Sequence, residues 1–237
     1  MFTEMDCVPV CISRRMQLKA ENYARRKLQF VRDTVERRGL SERREDLIIG
    51  HIAKEAVIAY LTVSMNQSRE SFEEYDRIRT DRFQCGAPWE LKFGQLGIDI
   101  RSSIEKKIQN NILHKIILQR HHILPAHPAI TAGGNQINFR DHLRDRWTLL
   151  SIPNITPAER DAYTSNHPFL KNCVIRVYFI KKYDLDICFL IGWIEGLKLV
   201  NEGTIGILPR YSGLYHILPI RQGNAMVELQ RYLRNHR

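Results

Sequence analysis

The chain has 237 residues, of which 43% are apolar, so it is long enough to bury a substantial core in a single domain. Its 36 lysines and arginines exceed its 26 acidic residues, and the net charge of +10 at pH 7 favours a polyanionic partner without indicating a fold. We see no apolar run near the roughly 20 residues that cross a bilayer and no signal peptide, and the five scattered cysteines indicate free thiols, so we expect a cytoplasmic protein.

Two helices are predicted in the first quarter of the chain. Residues 14 to 38 are highly charged, and Gly39 follows them as a C-terminal stop. Their apolar side chains recur at helical spacing, as Ala24, Leu28, Val31 and Val35. The basic outer face of this helix is either a solvated surface or a surface that contacts phosphates. Residues 45 to 63 form a second helix that is apolar nearly all round and therefore packs in the interior.

Glu55 is an anomaly in the second helix. It shares one helix face with Ile48, Ile52 and Ala59, so its carboxylate points from an otherwise buried stripe. Because a buried unpaired charge is costly, another group must compensate it. One interpretation pairs Glu55 with His51, one turn earlier, or with an arginine. The other interpretation places Glu55 beside a metal site.

A β-hairpin is predicted in residues 89 to 103, after a polar segment from 64 to 88 that indicates a loop with one short helix. Apolar and polar residues alternate on both sides of a turn that glycines bound. The apolar residues face the core and are Leu91, Phe93, Ile98 and Ile100. Four charged residues fall together on the opposite faces of the paired strands, namely Glu90, Lys92, Asp99 and Arg101.

Residues 104 to 172 are the least regular part of the sequence. A helix is indicated at their start by apolar residues at every fourth position, which are Ile104, Ile108, Ile112 and Ile116. The segment from 119 to 139 is rich in proline, glycine and side-chain amides and indicates a loop. A capping-box pair, Thr156 and Glu159, encloses Pro157 and indicates the start of another helix.

The C-terminal part is regular again. Two apolar strands are predicted at residues 173 to 180 and 187 to 194, with a polar turn between them. Because they are apolar on both faces in parts, we expect them in the centre of a sheet that is covered on both sides. A closing helix is predicted at residues 223 to 235, and its inward residues are Met226, Leu229 and Leu233.

Two short motifs on the hairpin carry a resemblance to a known family. Pro88-Trp89-Glu90 opens one strand with an acidic residue, and Asp99-Ile100-Arg101 places an acidic residue two positions before a basic one on the next. With Glu55 on a preceding helix, this arrangement resembles the PD-(D/E)XK nuclease superfamily, which includes type II restriction endonucleases. The resemblance implies an α/β fold with a central mixed β-sheet flanked by helices, a restriction-endonuclease-like core. It also implies a single nuclease-like domain, residues 1 to 237, in which residues 104 to 172 are an inserted DNA-recognition segment.

The resemblance implies a Mg²⁺-dependent DNA endonuclease of the sequence-specific restriction type, which acts on double-stranded DNA as a homodimer. In such an enzyme Glu90 and Asp99 would hold the metal, Glu55 would support it, and Arg101 would lie near the scissile phosphate. Arg101 departs from the lysine of the family. A guanidinium cannot act as a base because its pKa stays above ~12, although it can stabilise developing negative charge. The alternatives are therefore an inactive nucleic-acid-binding module on the same scaffold and a basic subunit of a larger nucleoprotein assembly.

Two further features of the predicted site leave alternatives open. Asp76 and Asp81 are rivals of Glu90 as the first acidic residue, and Glu90-Leu91-Lys92 is itself an acidic-x-lysine triplet. In the inserted segment, amides suited to base edges lie beside arginines suited to phosphates, so this segment either reads DNA or is a solvated connection. The residues concerned are Asn135, Gln136, Asn138, Arg140, Arg144 and Arg146.

Overall fold

A computed structural model of the protein describes residues 3–30, 39–80, 83, 89–105, 110–125, 172–180, 186–207 and 214–236. These residues form an α/β fold in which a six-stranded mixed β-sheet is flanked by helices. The fold class predicted from the sequence, a central mixed sheet with helices around it, is therefore confirmed.

Six helices, nine strands and three short 3-10 helices lie in the described part of the chain. The helices are α1 (Arg14–Lys27), α2 (Leu40–Met65), α3 (Tyr75–Ile78), α4 (Ile112–Gln119), α5 (Gly196–Glu202) and α6 (Met226–Asn235). The strands are β1 (Val8–Cys11), β2 (Glu73–Glu74), β3 (Leu91–Phe93), β4 (Leu96–Glu105), β5 (His121–Pro125), β6 (Cys173–Ile180), β7 (Ile187–Glu195), β8 (Thr204–Ile207) and β9 (Leu214–Pro219). The 3-10 helices are Glu4–Asp6, Arg69–Ser71 and Ile220–Gln222.

The large sheet has the strand order β1-β7-β6-β4-β3-β2. Strands β4 and β6 run parallel, and the other neighbouring strands run antiparallel. A second, small sheet of three antiparallel strands has the order β5-β9-β8. The two apolar strands predicted in the C-terminal part are β6 and β7, and they lie inside the large sheet, as expected.

Both faces of the large sheet are covered. On one face, a continuous core joins α1, α2 and α6 to alternate residues of the central strands, such as Ile98 and Ile175. On the other face, smaller apolar clusters join the sheet to α4 through Ile116 and to α5 through Leu199. This cover explains why β6 is buried along its whole length. The inward residues predicted for the closing helix, now α6, are also buried, namely Met226, Leu229 and Leu233.

The predicted hairpin is formed by β3 and β4, which pair Leu91 with Ile98. Its turn contains Gly94, which has a φ of 59°, a left-handed conformation that glycine adopts without a steric penalty. The four apolar residues that were expected in the core are buried there, namely Leu91, Phe93, Ile98 and Ile100. By strand alternation, Asp99 and Arg101 therefore project from the opposite face of the sheet.

Helix α2 is the central helix of the core. It has 26 residues, is followed by Asn66 as its C-terminal cap, and buries Ile52, Val57 and Leu61 completely, which confirms the interior helix predicted from the sequence. Among the described residues it is also the one helix with the length and composition to span a membrane, since its most apolar 18 residues have a mean hydropathy of 1.4. Half of that window is buried inside the protein. The expectation that no such run exists is wrong, and the cytoplasmic location stays a prediction.

Three segments differ from the sequence-based expectations. Ile104 belongs to strand β4, because β4 pairs with β6 as far as Glu105, and α4 begins only at Ile112. Residues 121 to 125, expected in a loop, form β5 by pairing with β9. The polar segment before the hairpin contributes β2, which pairs with β3. In each case, pairing with a strand elsewhere in the fold overrides the local pattern of the sequence.

Candidate active site

Glu55 is buried and ion-paired. The residue is only 4% exposed, and Arg69 bonds both carboxylate oxygens, Nη1 to Oε2 at 2.9 Å and Nη2 to Oε1 at 2.6 Å. Lys19 of α1 donates a further hydrogen bond to Oε2 at 3.1 Å. The structure therefore supplies the arginine partner that one interpretation of Glu55 requires, and two cations compensate the buried charge.

Glu55 belongs to a chain of ion pairs between α1, α2 and β2. Arg69 Nη2 also donates to Glu74 Oε1 at 2.8 Å, and Lys54 Nζ lies 2.9 Å from Glu74 Oε2. Burial alone would raise the pKa of Glu55 and of Glu74, but the bonded cations outweigh it and hold both pKa values below their ordinary range. We name this set the helix-side network; its members are Lys19, Lys54, Glu55, Arg69 and Glu74.

His51, the other suggested partner of Glu55, packs beside the network as a neutral ring. Burial, followed by the charge of Lys54, lowers the pKa of His51 to about 4, although the nearby carboxylates oppose this shift. Its Nε2 lies 3.8 Å from Glu55 Oε1, which is longer than a hydrogen bond. The ring stacks on Tyr23, with 4.3 Å between the ring centroids. The contact between His51 and Glu55 is therefore not an ion pair at neutral pH.

Asp76, a rival of Glu90 as the first acidic residue, is also paired. Arg79 Nη1 donates to its Oδ1 at 3.0 Å, Lys27 Nζ lies 3.6 Å from its Oδ2, and the Tyr23 hydroxyl donates to Oδ2. Burial raises the pKa of Asp76, but Lys27 and these hydrogen bonds outweigh it, and the pKa lies below its ordinary value. The charge of Asp76 is thus neutralised within the protein. The other rival, Asp81, lies outside the described residues.

Two cavities adjoin the helix-side network. The larger, of about 1060 Å³, lies between α1 and α2 and is lined by the network together with Tyr23, Phe30 and Phe83. The smaller, of about 210 Å³, is lined by Lys54 of α2 and by Glu90 at the start of the hairpin. Glu90 therefore borders the face of the sheet that carries the helix-side network.

Glu90 also interacts with the hairpin residues on the other face. It precedes β3, and its N–H donates to the carbonyl oxygen of Ile98 at 3.0 Å, one residue before Asp99. Burial, followed by the charge of Asp99, raises the pKa of Glu90 to about 7, and Arg101 and other cations only partly oppose this shift. Because Glu90 lies just outside the paired strand, strand alternation does not confine its side chain to one face. Its carboxylate is consequently within electrostatic range of both charged groups.

Asp99 lies within β4 and is held by its neighbour on the same strand. It is 4% exposed, and Arg101 donates to its Oδ2 twice, from Nε at 3.0 Å and from Nη2 at 2.6 Å. The Arg101 side chain is 28% exposed, so the pair reaches solvent on that side. Both bonds end on Oδ2, so Oδ1 is the oxygen that a cation would take. The structure thus brings Glu90, Asp99 and Arg101 together, whereas Glu55 is bonded on the α2 side of the sheet.

Lys54 connects these two groups, and the sequence motifs do not indicate it. It is 5% exposed and pairs with Glu74. Its charge also opposes, in part, the rise in the pKa of Glu90. A signal was present in the sequence, because a lysine inside an apolar helix is as unusual as the glutamate beside it. A search for every buried charge on α2, rather than for carboxylates alone, finds Lys54.

Glu90 and Asp99 are carboxylates of the kind that Mg²⁺ takes as ligands. This ion is commonly bound by one or two carboxylates, with waters and substrate phosphates as its other ligands. A divalent cation would also relieve the repulsion between carboxylates that contributes to the raised pKa of Glu90. No group of three or more His, Cys, Asp or Glu side chains suited to a metal occurs in the part of the chain that the structure describes. The fit to Mg²⁺ therefore requires oxygen atoms from water and substrate.

The predicted DNA-reading residues lie outside the described residues, and they are Asn135, Gln136, Asn138, Arg140, Arg144 and Arg146. Most of the inserted segment lies outside them as well, so its role stays a prediction. In comparisons with known proteins, no family model, no curated protein and no solved structure matches this chain. The resemblance to PD-(D/E)XK nucleases therefore stays a prediction, which the motif residues Glu55, Glu90, Asp99 and Arg101 carry.

Proposed function

We propose that this protein is a Mg²⁺-dependent endonuclease that hydrolyses phosphodiester bonds in double-stranded DNA. The observation that carries the proposal is the approach of Glu90 to Asp99, two largely buried carboxylates whose mutual repulsion helps to raise the pKa of Glu90 to about 7. Two carboxylates that repel each other in a largely buried position are costly for the fold. A divalent cation bound between them would replace this repulsion by attraction to the metal.

The residues of this group have complementary roles in the proposed reaction. Glu90 and Asp99 supply the anionic oxygens that hold the cation against the substrate. Arg101, whose orientation its two bonds to Asp99 determine, presents a guanidinium to the phosphate and stabilises the negative charge that develops there. When bound, Mg²⁺ neutralises the phosphate and activates the attacking water.

Double-stranded DNA is the proposed substrate because the protein is strongly basic. The net charge is +10, and the last turn of helix α1 carries two exposed arginines, Arg25 and Arg26. Contacts between such residues and phosphates release condensed counterions, so affinity for duplex DNA should fall steeply as salt rises. Affinity that is flat between low and moderate salt, measured by fluorescence anisotropy, would argue against a nucleic-acid partner.

The proposal is tested by incubating plasmid and phage DNA with the full-length protein and Mg²⁺, with EDTA as the blank. We expect Mg²⁺-dependent cleavage, with discrete bands if the enzyme is sequence-specific. Glu90→Gln should remove most of this activity, because it removes one of the two anionic ligands. The matched control is Glu73→Gln, which neutralises an exposed glutamate on β2 of the same sheet and should cut as wild type does. Equal cleavage by Glu90→Gln and Glu73→Gln would overturn the assignment of the metal site.

A second candidate function, DNA binding without cleavage, is favoured by one observation. Arg101 already bonds Asp99 at 2.6 Å and 3.0 Å, so the protein itself supplies a cation to this carboxylate. If this pair persists in the presence of metal, the site is inactive. Salt-sensitive binding of duplex DNA without cleavage in either Mg²⁺ or Mn²⁺ would support this candidate over the endonuclease.

A further inference from the structure

Arg176 on β6 is a buried cation that lacks an acidic partner among the described residues. It is 7% exposed, and its Nη2 donates to the Ser103 hydroxyl at 2.6 Å and to the Tyr178 hydroxyl at 3.4 Å. Its Nε is buried and has no hydrogen-bond partner. The guanidinium lies over the Tyr178 ring, 5.1 Å from the centroid. Within the described part of the chain, its hydrogen-bond partners are thus two neutral hydroxyls, and one aromatic ring packs against it.

The register of the sheet places Arg176 beside the proposed active site. Strands β4 and β6 are parallel neighbours, and Arg176 pairs in register with Arg101. Asp99, Arg101 and Ser103 alternate along β4, so they share with Arg176 the face of the sheet opposite α2. Asp99 is bonded to Arg101, which leaves Arg176 without that carboxylate.

The neighbouring histidines do not compensate Arg176. Burial, followed by the charge of Arg176, lowers the pKa of His122 to about 3, and the same two causes lower the pKa of His121. Both rings are therefore neutral at physiological pH. The two histidines therefore add no negative charge that would compensate Arg176.

A buried unpaired cation is expensive, and stability alone does not account for it. The contact with the Tyr178 ring offsets only part of the desolvation cost, since a cation–π contact contributes about 0.5–2 kcal/mol. Replacing a buried charge by an apolar side chain of similar volume is often neutral or stabilising. The arrangement is therefore best explained by an anionic ligand that completes the site.

We infer that Arg176, together with the Ser103 and Tyr178 hydroxyls, binds a phosphate group of the nucleic-acid backbone next to the scissile phosphate at the proposed metal site. The backbone position of Arg176 lies one strand across from Asp99 and two residues along, which corresponds to about 4.8 Å and about 6.6 Å in a sheet. A substrate strand that passes over Arg101 would meet both positions. The identity of the ligand rests on the proposed function, whereas the anion site itself does not require cleavage.

The anion site is tested first without metal or DNA, using inorganic phosphate as the probe and the full-length protein. We expect phosphate to bind in a calorimetric titration and to raise the melting temperature, and Arg176→Met to weaken this binding by about tenfold or more, as expected for a bond to a charged group. The control is Arg120→Met, which removes a half-exposed arginine that pairs with Glu105. Phosphate affinity of Arg176→Met equal to that of wild type would overturn the inference and show an adventitious ion only.

A second measurement separates an anion site from a purely structural arginine. In phosphate-free buffer, Arg176→Met should melt at the wild-type temperature or above it, because it removes an unpaired buried charge. A clear loss of stability would show that Arg176 serves the fold and would overturn the inference. Ser103→Ala, which keeps the cation and removes the hydroxyl, should weaken phosphate binding while leaving the fold intact.

Duplex DNA then identifies the ligand. We expect Arg176→Met to weaken binding of a short duplex in the absence of Mg²⁺ by about tenfold, while Arg120→Met changes it little. Loss of phosphate binding with unchanged duplex affinity would overturn the assignment to nucleic acid. Failure of the endonuclease proposal is distinguishable, because a protein that never cuts DNA would still show the effects of Arg176→Met on phosphate and duplex binding.

Discussion

The charged residues between the helices and the large sheet and those around the hairpin are built in opposite ways. In the helix-side network each buried carboxylate is bonded to at least two cations, and the pKa values of Glu55 and Glu74 are lowered. Around the hairpin, Glu90 is close to Asp99 and its pKa is raised, and Arg176 has hydroxyl partners instead of a carboxylate. We name this second set the sheet-face group; its members are Glu90, Asp99, Arg101 and Arg176.

Under the two proposals above, the difference separates charges that serve the fold from charges that a ligand would neutralise. The helix-side network is complete in the protein alone, so its cavity needs no ion to be stable. In the sheet-face group, Asp99 repels Glu90 and Arg176 has no acidic partner among the described residues, and a Mg²⁺–phosphate pair, as proposed, would supply the opposite charge to each. Buried charge by itself therefore does not mark a site, whereas buried charge without compensation does.

The largest effect that we expect from this contrast is on cleavage by Asp99→Asn. The substitution keeps the shape of the side chain and removes its charge, so Mg²⁺-dependent cleavage should fall by about 100-fold or more. Binding of duplex DNA without metal should stay equal or improve, because one repulsive charge is lost. Plasmid cleavage and anisotropy measure the two effects. If Asp99→Asn cuts as well as wild type, the metal site is misplaced, and Glu90-Leu91-Lys92 becomes the motif to test.

Glu55→Gln should act mainly on stability. It removes the shared acceptor of Lys19 and Arg69, and we expect a loss of about 2–3 kcal/mol in the free energy of unfolding in urea. This value lies below the ~3–5 kcal/mol for a fully buried pair because Arg69 is 32% and Lys19 37% exposed. The control is Glu73→Gln, at an exposed position, which should change the free energy of unfolding by about zero. Lost cleavage with intact stability would instead support the interpretation that Glu55 serves the metal site.

The two groups should also respond to pH in opposite directions. Because the folded-state pKa of Glu90 is raised from 4.5 to about 7, its favourable contribution is fully present below the unfolded pKa and is lost as pH rises through 7. The pKa values of Glu55 and Glu74 are lowered from 4.5, so their contribution is present above that value and is lost as pH falls below it.

Urea unfolding of the metal-free protein at several pH values separates these contributions. In wild type, the free energy of unfolding should fall between about pH 5 and about pH 8, and we expect this fall to be absent in Glu90→Gln. The loss of stability in acid, which comes from Glu55 and Glu74, should be the same in both proteins. Mg²⁺ should have the same effect on the wild-type protein, because a bound cation lowers the pKa of Glu90. A wild-type profile that is flat across this range, with and without Mg²⁺, would contradict the raised pKa.

The smallest effect is expected from Arg101→Lys. Lysine keeps the positive charge near the phosphate and is the residue found at this position in the PD-(D/E)XK superfamily, which the motif resembles. Cleavage should therefore stay within roughly threefold of wild type. Lysine cannot donate the two hydrogen bonds that Arg101 donates to Asp99 Oδ2. The carboxylate of Asp99 is then freer to bind a metal, so Mg²⁺ should bind to the variant at lower concentration. Cleavage that disappears in Arg101→Lys would show that the geometry of the guanidinium, rather than its charge, is required.

The parts of the fold that the sequence predicts are those with a strong local pattern. Alternation of apolar residues around Gly94 identifies the hairpin, and the apolar run around Ile52 identifies α2, because each pattern directly reports which side chains are buried. Strands β2 and β5 have no such pattern, since they depend on pairing with residues distant in the sequence. Ile104 illustrates the limit, because spacing by four is compatible with a helix and with one face of a strand.

The candidate site was predictable to a similar extent. Glu90, Asp99 and Arg101 were found from strand alternation, which correctly placed the last two on one face. The ion pairs of Glu55 depend on Arg69, which the turn after α2 brings next to Glu55. No local pattern in the sequence predicts this contact. Arg176 lies among apolar residues of a predicted central strand, and its charge there is the same kind of anomaly as that of Glu55.

The two outer strands of the large sheet bear on how copies of this protein can associate. Strand β1 contains Pro9, which has no N–H to donate to a further strand, and β2 is only two residues long and carries the exposed Glu73. Both edges are thereby protected against edge-to-edge aggregation. If the proposed enzyme acts as a homodimer, we therefore expect its copies to associate through helices or loops and not by extension of the described edges of the large sheet.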